Sequence, residues 1–357
     1  MTQRRFGLPA EVESRLAETL AGLGYPLPTG PKTPEARKLA DAILQLSDYF
    51  NGSPNASTPW GNDWAQAAYL AYFFTLNYAR ASAVAREAER VEFFSDITTV
   101  VDFGAGTGAG AHAFSRVFKK DYVACDISRE ALEFCQSLKS PDARITTQNC
   151  SSPDQALPSE NRERTAMLAS YALTELEQFP RSWMKAEAIV IIEPSTRDDG
   201  RRLMKWRADL IEAGFRIWAP CTHEAACPLL TQSEKDWCHD RIHFDPPVWW
   251  AYLEHWLPMK NRTITFSYLL ARKSAPPEWL RGKGRLIGDM LEEKGKTRQA
   301  VCRNPEREFL SWFPQRLAKG ESIELERGLI VELEEGLEKR ATEIRLKSPS
   351  NIKIVST

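Results

Sequence analysis

The sequence predicts an α/β fold built on a doubly wound, Rossmann-like parallel sheet, with a helical region before it and a small β-rich extension after it. Two observations carry that class. From Ile97 onward, short apolar runs of strand length (ITTVVDF, DYVACD, ARITTQ, AMLASY, AIVIIEP) alternate with helical patterns such as GAHAFSRVFKK and REALEFCQSLK. Such alternation is what βαβ units produce. A four-glycine stretch, VVDFGAGTGAG at 100–110, lies between the first of these strands and the first helix. Glycines there permit a tight turn and let the backbone approach a ligand at a helix N-terminus.

The other elements follow in order. Over residues 1–95, AEVESRLAETLAGLG and WAQAAYLAYFFTLNYARASAVAREAER have helical apolar spacing, with the loop-forming NGSPNASTPWGN between them. Residues 96–273 hold the sheet, completed by the helix RRLMKWRADLIEAG, the strand FRIWAP, a cysteine-rich insert at 219–244, the helix VWWAYLEHWLP and the strand RTITFSYLLARK. In 274–357, RLIGDML, TRQAVCR, REFLSWF, SIELERG, LIVELEE and ATEIRLK are strand-length runs between turn signals.

At 357 residues and 43% hydrophobic content, the chain can bury a sizeable core. No apolar run reaches the roughly 18 residues of a membrane span, and the start MTQRRFGLPAEVESRL has no apolar signal region. A cytoplasmic protein without a membrane partner, monomeric when free, is the expectation. Seven cysteines in no regular framework point to reduced thiols, some of them ligands or nucleophiles.

The glycine loop fits two cofactors. Gly104-Ala-Gly106-Thr-Gly108-Ala109 satisfies a dinucleotide fingerprint, and Asp126, ending the next strand, suits the ribose hydroxyls of NAD or of S-adenosylmethionine. Asp102 favours the second, because a carboxylate two residues before the first glycine has no role against a pyrophosphate but neutralises the ammonium of a methionine moiety. With DFGAGTGAG and ACDIS as its first two motifs, the chain resembles class I methyltransferases. That resemblance implies S-adenosylmethionine as cofactor and places Ser170, Tyr171 and Glu175 of ASYALTELE facing the methyl donor, with ordinary strand-end packing as the alternative. No Asn/Asp-Pro-Pro-aromatic tetrapeptide follows the fourth strand, so the usual constellation for methylating an exocyclic base amine is absent. Pro220-Cys221 is similar to the dipeptide of enzymes that attack C6 of a pyrimidine with a thiolate.

Cys221 also belongs to a cluster. Cys221, Cys227 and Cys238 are spaced C-x5-C-x10-C among His223, His239 and His243, and Cys302 follows much later. Structural zinc sites normally include a short C-x2–4-C knuckle, which is missing, whereas an iron–sulfur cluster accepts looser spacing. Cys302 is the natural fourth ligand, since Cys125, Cys135 and Cys150 fall at strand, helix and loop positions of the sheet domain. Zinc held by the three insert cysteines and one histidine stays open.

DFGAGTG, ASYALTEL, IIEPST, PC-x4-AACPL, DWCH, FSYLLARK and a terminal RLIG…KGK…VC, in this order, resemble the ribosomal small-subunit methyltransferase-like family, whose mitochondrial members associate with the assembling small ribosomal subunit. The resemblance covers most of the chain. It implies a [4Fe-4S] cluster on Cys221, Cys227, Cys238 and Cys302, an RNA-binding surface, and a role in small-subunit rRNA maturation, as a methyltransferase or as a non-catalytic assembly factor. An NAD-dependent iron–sulfur oxidoreductase is the reading from another class.

The charge pattern supplies a surface for RNA. Residues 260–304 hold eleven Lys/Arg against four acids. Arg281, Lys283, Arg285, Lys294, Lys296 and Arg298, placed on turns and hairpin edges, suit phosphates. A solvated face is the alternative. Trp249, Trp250, Trp256 and Trp279 are candidates for base stacking, though core packing suits most of them better.

Overall fold

The structure, a computed structural model, describes residues 4–53, 56–176 and 178–355, and only the backbone of Glu175. The chain forms two compact units, one of Met1–Glu89, Phe94–Glu187 and Ile242–Ile264, the other of Arg90–Phe93, Ala188–Arg241 and Thr265–Thr357. Among the described residues, no helix is long and apolar enough to cross a membrane.

The first unit opens with helices whose sequences explain their ends and faces. Ala10–Gly22 buries Val12, Leu16 and Leu20, one face at i, i+4 and i+8. Pro34–Gly52 starts on Thr33, whose hydroxyl accepts the Ala36 N–H, with Pro34 in the first turn. A third helical run joins Asp63–Ala68, a π-helical segment Tyr69–Phe74 and Thr75–Arg90. Its alanines (Ala65, Ala67, Ala68, Ala71, Ala79, Ala81) are buried, which lets neighbouring backbones come close. The π segment is not visible as a pattern in the sequence.

Next in the first unit come four parallel strands in the order Thr165–Ser170, Thr99–Phe103, Asp121–Asp126, Ile145–Asn149. The chain runs outward from Thr99–Phe103 through the next two strands, then returns to its other side. That reversal is a topological switch point, where ligands of open α/β sheets bind beyond the carboxyl ends of the strands. One strand escapes the sequence reading: Arg5–Gly7 pairs in parallel with His243–Asp245, placing His243 opposite Arg5.

In the second unit, Ala188–Glu193 is buried at every position, which accounts for its unbroken apolar run, and it pairs antiparallel with Thr263–Arg272. Arg216–Ala219 also pairs with Thr263–Arg272, through a register shift between Ile217 and Ala219. The C-terminal part is β-rich as expected. Its strands run Lys339–Arg340, Glu343–Arg345, Glu308–Trp312, Lys296–Cys302, Gly284–Leu286, Ile330–Leu333, Ile352–Ile354, with Leu291–Glu293 paired to Lys296–Cys302. Leu286, Val301, Leu310, Trp312, Val331 and Ile344 build its core. SIELERG is no strand, but Ile323 and Leu325 still enter that core.

Candidate functional site

The glycine loop leaves Thr99–Phe103 at the switch point. Gly104, Gly106 and Gly108 all have positive φ, at 64°, 52° and 81°, a region that costs an L-residue about 1–2 kcal/mol. Space separates their roles. A Cβ on Gly104 would stand 2.4 Å from Cβ of Ala172, and one on Gly108 would stand 2.4 Å from Sγ of Cys135. These two glycines therefore serve close packing. A Cβ on Gly106 would meet only the Tyr69 hydroxyl, at 3.5 Å, so Gly106 is the position where the backbone faces room for a ligand. Gly106→Ala is expected to lower stability by only about 1–2 kcal/mol while weakening cofactor binding, checked by urea unfolding alongside calorimetry.

Two carboxylates hold the loop. Asp126 Oδ2 accepts the Gly106 N–H at 2.7 Å and its Oδ1 accepts the Ser128 N–H at 2.8 Å. A carboxylate has about four acceptor positions, so capacity for ribose hydroxyls remains. Asp102 is fully buried, with Oδ2 accepting the Ala111 N–H at 2.8 Å at the start of the helix Ala109–Val117. Its Oδ1 has no hydrogen-bond partner. Burial pushes Asp102 up to about 7, opposed by the Ala111 N–H and aided by the charge of Asp126. An orphaned, buried carboxylate oxygen beside a glycine loop is a feature that a cationic amino group satisfies.

The acceptor side lies at the end of Thr165–Ser170. Ser170 Oγ is buried without a partner. Tyr171 has φ of 61°, and the Arg80 guanidinium lies 5.2 Å from its ring centroid. Ala172 packs on Gly104, so the structure brings Ser170–Ala172 to the loop. The Glu175 side chain lies outside the described residues. Sequence reasoning missed Ile127, which stands 69% exposed directly after Asp126 and offers an apolar platform. It also missed Tyr69, since nothing in a helical pattern points at a distant loop.

The second unit holds the cysteine set. Cys221 and Cys302 are buried, and Cys227 and Cys238 are partly so. Burial raises the Cys238 thiol, with Cys221, Cys227 and Cys302 adding to the effect, and burial likewise raises Cys302, with Cys221 and Cys227 adding. The four thiols thus share one electrostatic neighbourhood. Arg207 lies within it: burial works to lower its pKa, but Cys221, Cys227 and Cys302 prevail and raise it. His223 Nε2 is 3.3 Å from Sγ of Cys302. Even so, among the described residues no group of three or more His, Cys, Asp or Glu donors is arranged to hold a metal ion. Cys125, Cys135 and Cys150 belong to the first unit and are buried there.

The basic stretch is far less cationic than its sequence implies. Arg285 is buried at 2% exposure, donating to the carbonyls of Pro220 and Gly328; it is a core residue, not a phosphate contact. Lys283 pairs with Glu332, Lys296 with Glu343 at 2.9 Å, Arg298 with Glu293 at 2.8 Å and Arg281 with Glu278 at 3.0 Å. Lys294 is exposed on a turn. Residues 274–357 hold sixteen Lys/Arg and fourteen Asp/Glu, a net of +2, because the strands that follow supply the acids. Trp249 and Trp250 are buried, while Trp256 and Trp279 are each 37% exposed.

The glycine loop at the switch point and its strand-end carboxylates define a class I, Rossmann-like fold with a candidate cofactor site. The chain belongs to the family described as mitochondrial small ribosomal subunit Rsm22, whose model matches residues 64–316. No curated protein matches it. Similar solved structures include one titled as a candidate RNA methyltransferase from Pyrococcus horikoshii, 14% identical over 54% of this chain and 83% of that one, with a TM-score of 0.35. Another is the precorrin-6y C5,15-methyltransferase from Geobacter metallireducens, 14% identical over 52% and 88%, also with a TM-score of 0.35. At such scores the fold assignment rests on the strand order and the loop.

Proposed function

We propose that this protein is an S-adenosylmethionine-binding, methyltransferase-type factor acting on small-subunit rRNA during ribosome assembly. The observation that carries the proposal is the glycine loop at the switch point, where a Cβ on Gly106 would meet only the Tyr69 hydroxyl at ordinary contact distance and Asp126 accepts the Gly106 N–H. Membership of a family named for the mitochondrial small ribosomal subunit supports the ribosomal side. S-adenosylmethionine, when bound, supplies an electrophilic methyl group. The chain's part is to let the ligand lie along Gly106, to hold its ribose with Asp126, to meet its ammonium with the Asp102 carboxylate, and to orient an acceptor at Ser170 and Tyr171. Rate would come mainly from positioning.

A second reading is a non-catalytic rRNA-binding assembly factor, in keeping with a family described by its ribosomal subunit and not by an activity. Calorimetry with S-adenosylmethionine and with NADH tests cofactor choice, and tighter NADH binding overturns the proposal. Methyl-label transfer to small-subunit RNA separates enzyme from binding factor.

The four cysteines carry a separate proposal, that Cys221, Cys227, Cys238 and Cys302 bind a [4Fe-4S] cluster, with zinc on three of them and a histidine as the alternative. Their common electrostatic neighbourhood supports it, and no step of the methyl chemistry runs through it. Anaerobically purified protein is expected to be brown and to contain iron and sulfide; colourless protein with stoichiometric zinc refutes the cluster.

A further inference from the structure

Tyr69 does not behave as a core residue of its helix. Around it Ala67, Ala68, Leu70 and Ala71 are buried, while Tyr69 and Phe73 are only partly so and stack on each other, centroids 5.7 Å apart at 26°. Trp60 meets Tyr69 edge-on at 4.9 Å and lies 6.3 Å from Phe134, on the helix that follows Asp126. Gln66 bonds the Trp60 carbonyl, tying the loop before the helix to this row. These aromatics belong to the π-helical segment Tyr69–Phe74 and its approach, and π turns inside α-helices are frequent at functional sites. Tyr69 is the member of the row that reaches the glycine loop: its hydroxyl lies 3.5 Å from where a Gly106 side chain would begin.

We propose that Tyr69, backed by Trp60, closes the methyl-donor site from the N-terminal helices, its hydroxyl bonding the ligand that lies along Gly106. This rests on the S-adenosylmethionine reading. The helical region before the sheet then completes the cofactor site. The row keeps its aromatic surface half-buried, although Leu70, Tyr72 and Phe74 on the same helical run are buried. A tyrosine also suits the place chemically, because it presents an apolar face to a ligand and a polar tip that donates one bond.

The test uses the full chain, S-adenosylhomocysteine as the probe, calorimetry for affinity and tryptophan fluorescence for the lid. Wild-type protein is expected to bind with a saturable fluorescence change at matching concentrations, and Trp60→Phe is expected to bind but lose most of that change. Tyr69→Phe, which removes only the hydroxyl, should weaken binding about three- to tenfold, as loss of one hydrogen bond does. Tyr69→Ala should weaken it further with the circular dichroism spectrum unchanged. Binding by Tyr69→Phe and Tyr69→Ala at wild-type affinity overturns the lid and leaves the cofactor reading standing. No binding by the wild-type protein overturns both.

Discussion

Replacing Arg285 by alanine is expected to cost about 3–5 kcal/mol of stability, the largest loss among the six basic residues Arg281, Lys283, Arg285, Lys294, Lys296 and Arg298. Arg285 sits in the strand Gly284–Leu286, opposite Cys302 on one side and Ile330 on the other. Its guanidinium donates to the carbonyls of Pro220 and Gly328. Truncation leaves both carbonyls buried without these donors, and each such loss costs about 1–3 kcal/mol before the vacated volume is considered. Arg285→Lys keeps the charge but not the planar fork, and an intermediate loss is expected. Lys294→Ala, at an exposed turn, should stay within about 0.5 kcal/mol. Urea unfolding of the three variants checks this ordering, and an unchanged midpoint for Arg285→Ala would refute it. The change should also disturb the cysteine neighbourhood, because the Thr222 hydroxyl, next to Cys221, donates to the Lys283 carbonyl two residues from Arg285.

Arg285 marks where the sequence stopped being legible. A count of cations in a linear window says nothing about acids that the fold later brings beside them, and Glu332 and Glu343 arrive from strands well downstream. The parallel strands were readable because burial on both faces writes itself as continuous apolar runs, as at Thr165–Ser170. The glycine loop was readable because glycine adopts its positive backbone angles at no steric cost. Which glycine faces a ligand was not, since that depends on Ala172, Cys135 and Tyr69 arriving from distant positions. The strand Arg5–Gly7 was hidden for a similar reason, being three residues long and stabilised by a partner more than two hundred residues away. The cysteine spacing suggested a ligand set; among the described residues no group of three or more donors is arranged to hold a metal ion, yet the fold sets the thiols within electrostatic reach of one another. It also places Arg207 there, a cation whose helical spacing marks it only as one more residue of an amphipathic helix.

Asp102→Asn is expected to stabilise the protein at pH 8 by about 2–4 kcal/mol and to weaken binding of a cationic amino ligand at the same time. The folded-state pKa of Asp102 is raised from 3.8 to about 7, chiefly by burial. Between those values the folded chain holds a proton that the unfolded chain releases. The contribution of Asp102 is therefore fully present below about pH 3.8 and is lost as pH rises through about 7, a total of about 4 kcal/mol. Asparagine stays neutral throughout and keeps an oxygen for the Ala111 N–H, so it avoids that loss, less whatever its buried amide leaves unsatisfied. His112 opposes this trend in wild-type protein. Burial lowers it to about 4, so its contribution is present above its unfolded value of 6.5 and is lost as pH falls through about 4. Burial lowers His223 and His239 to about 4 as well. The decisive quantity is therefore the difference between wild type and Asp102→Asn at each pH, in which the histidines cancel. That difference should grow in favour of the variant from pH 4 to pH 8, and parallel curves would refute the buried, raised Asp102. A carboxylate kept at this cost in stability, with an oxygen left unbonded, is what a site retains for a positively charged ligand, so calorimetry with S-adenosylmethionine on the same variant tests whether the instability and the binding share one cause.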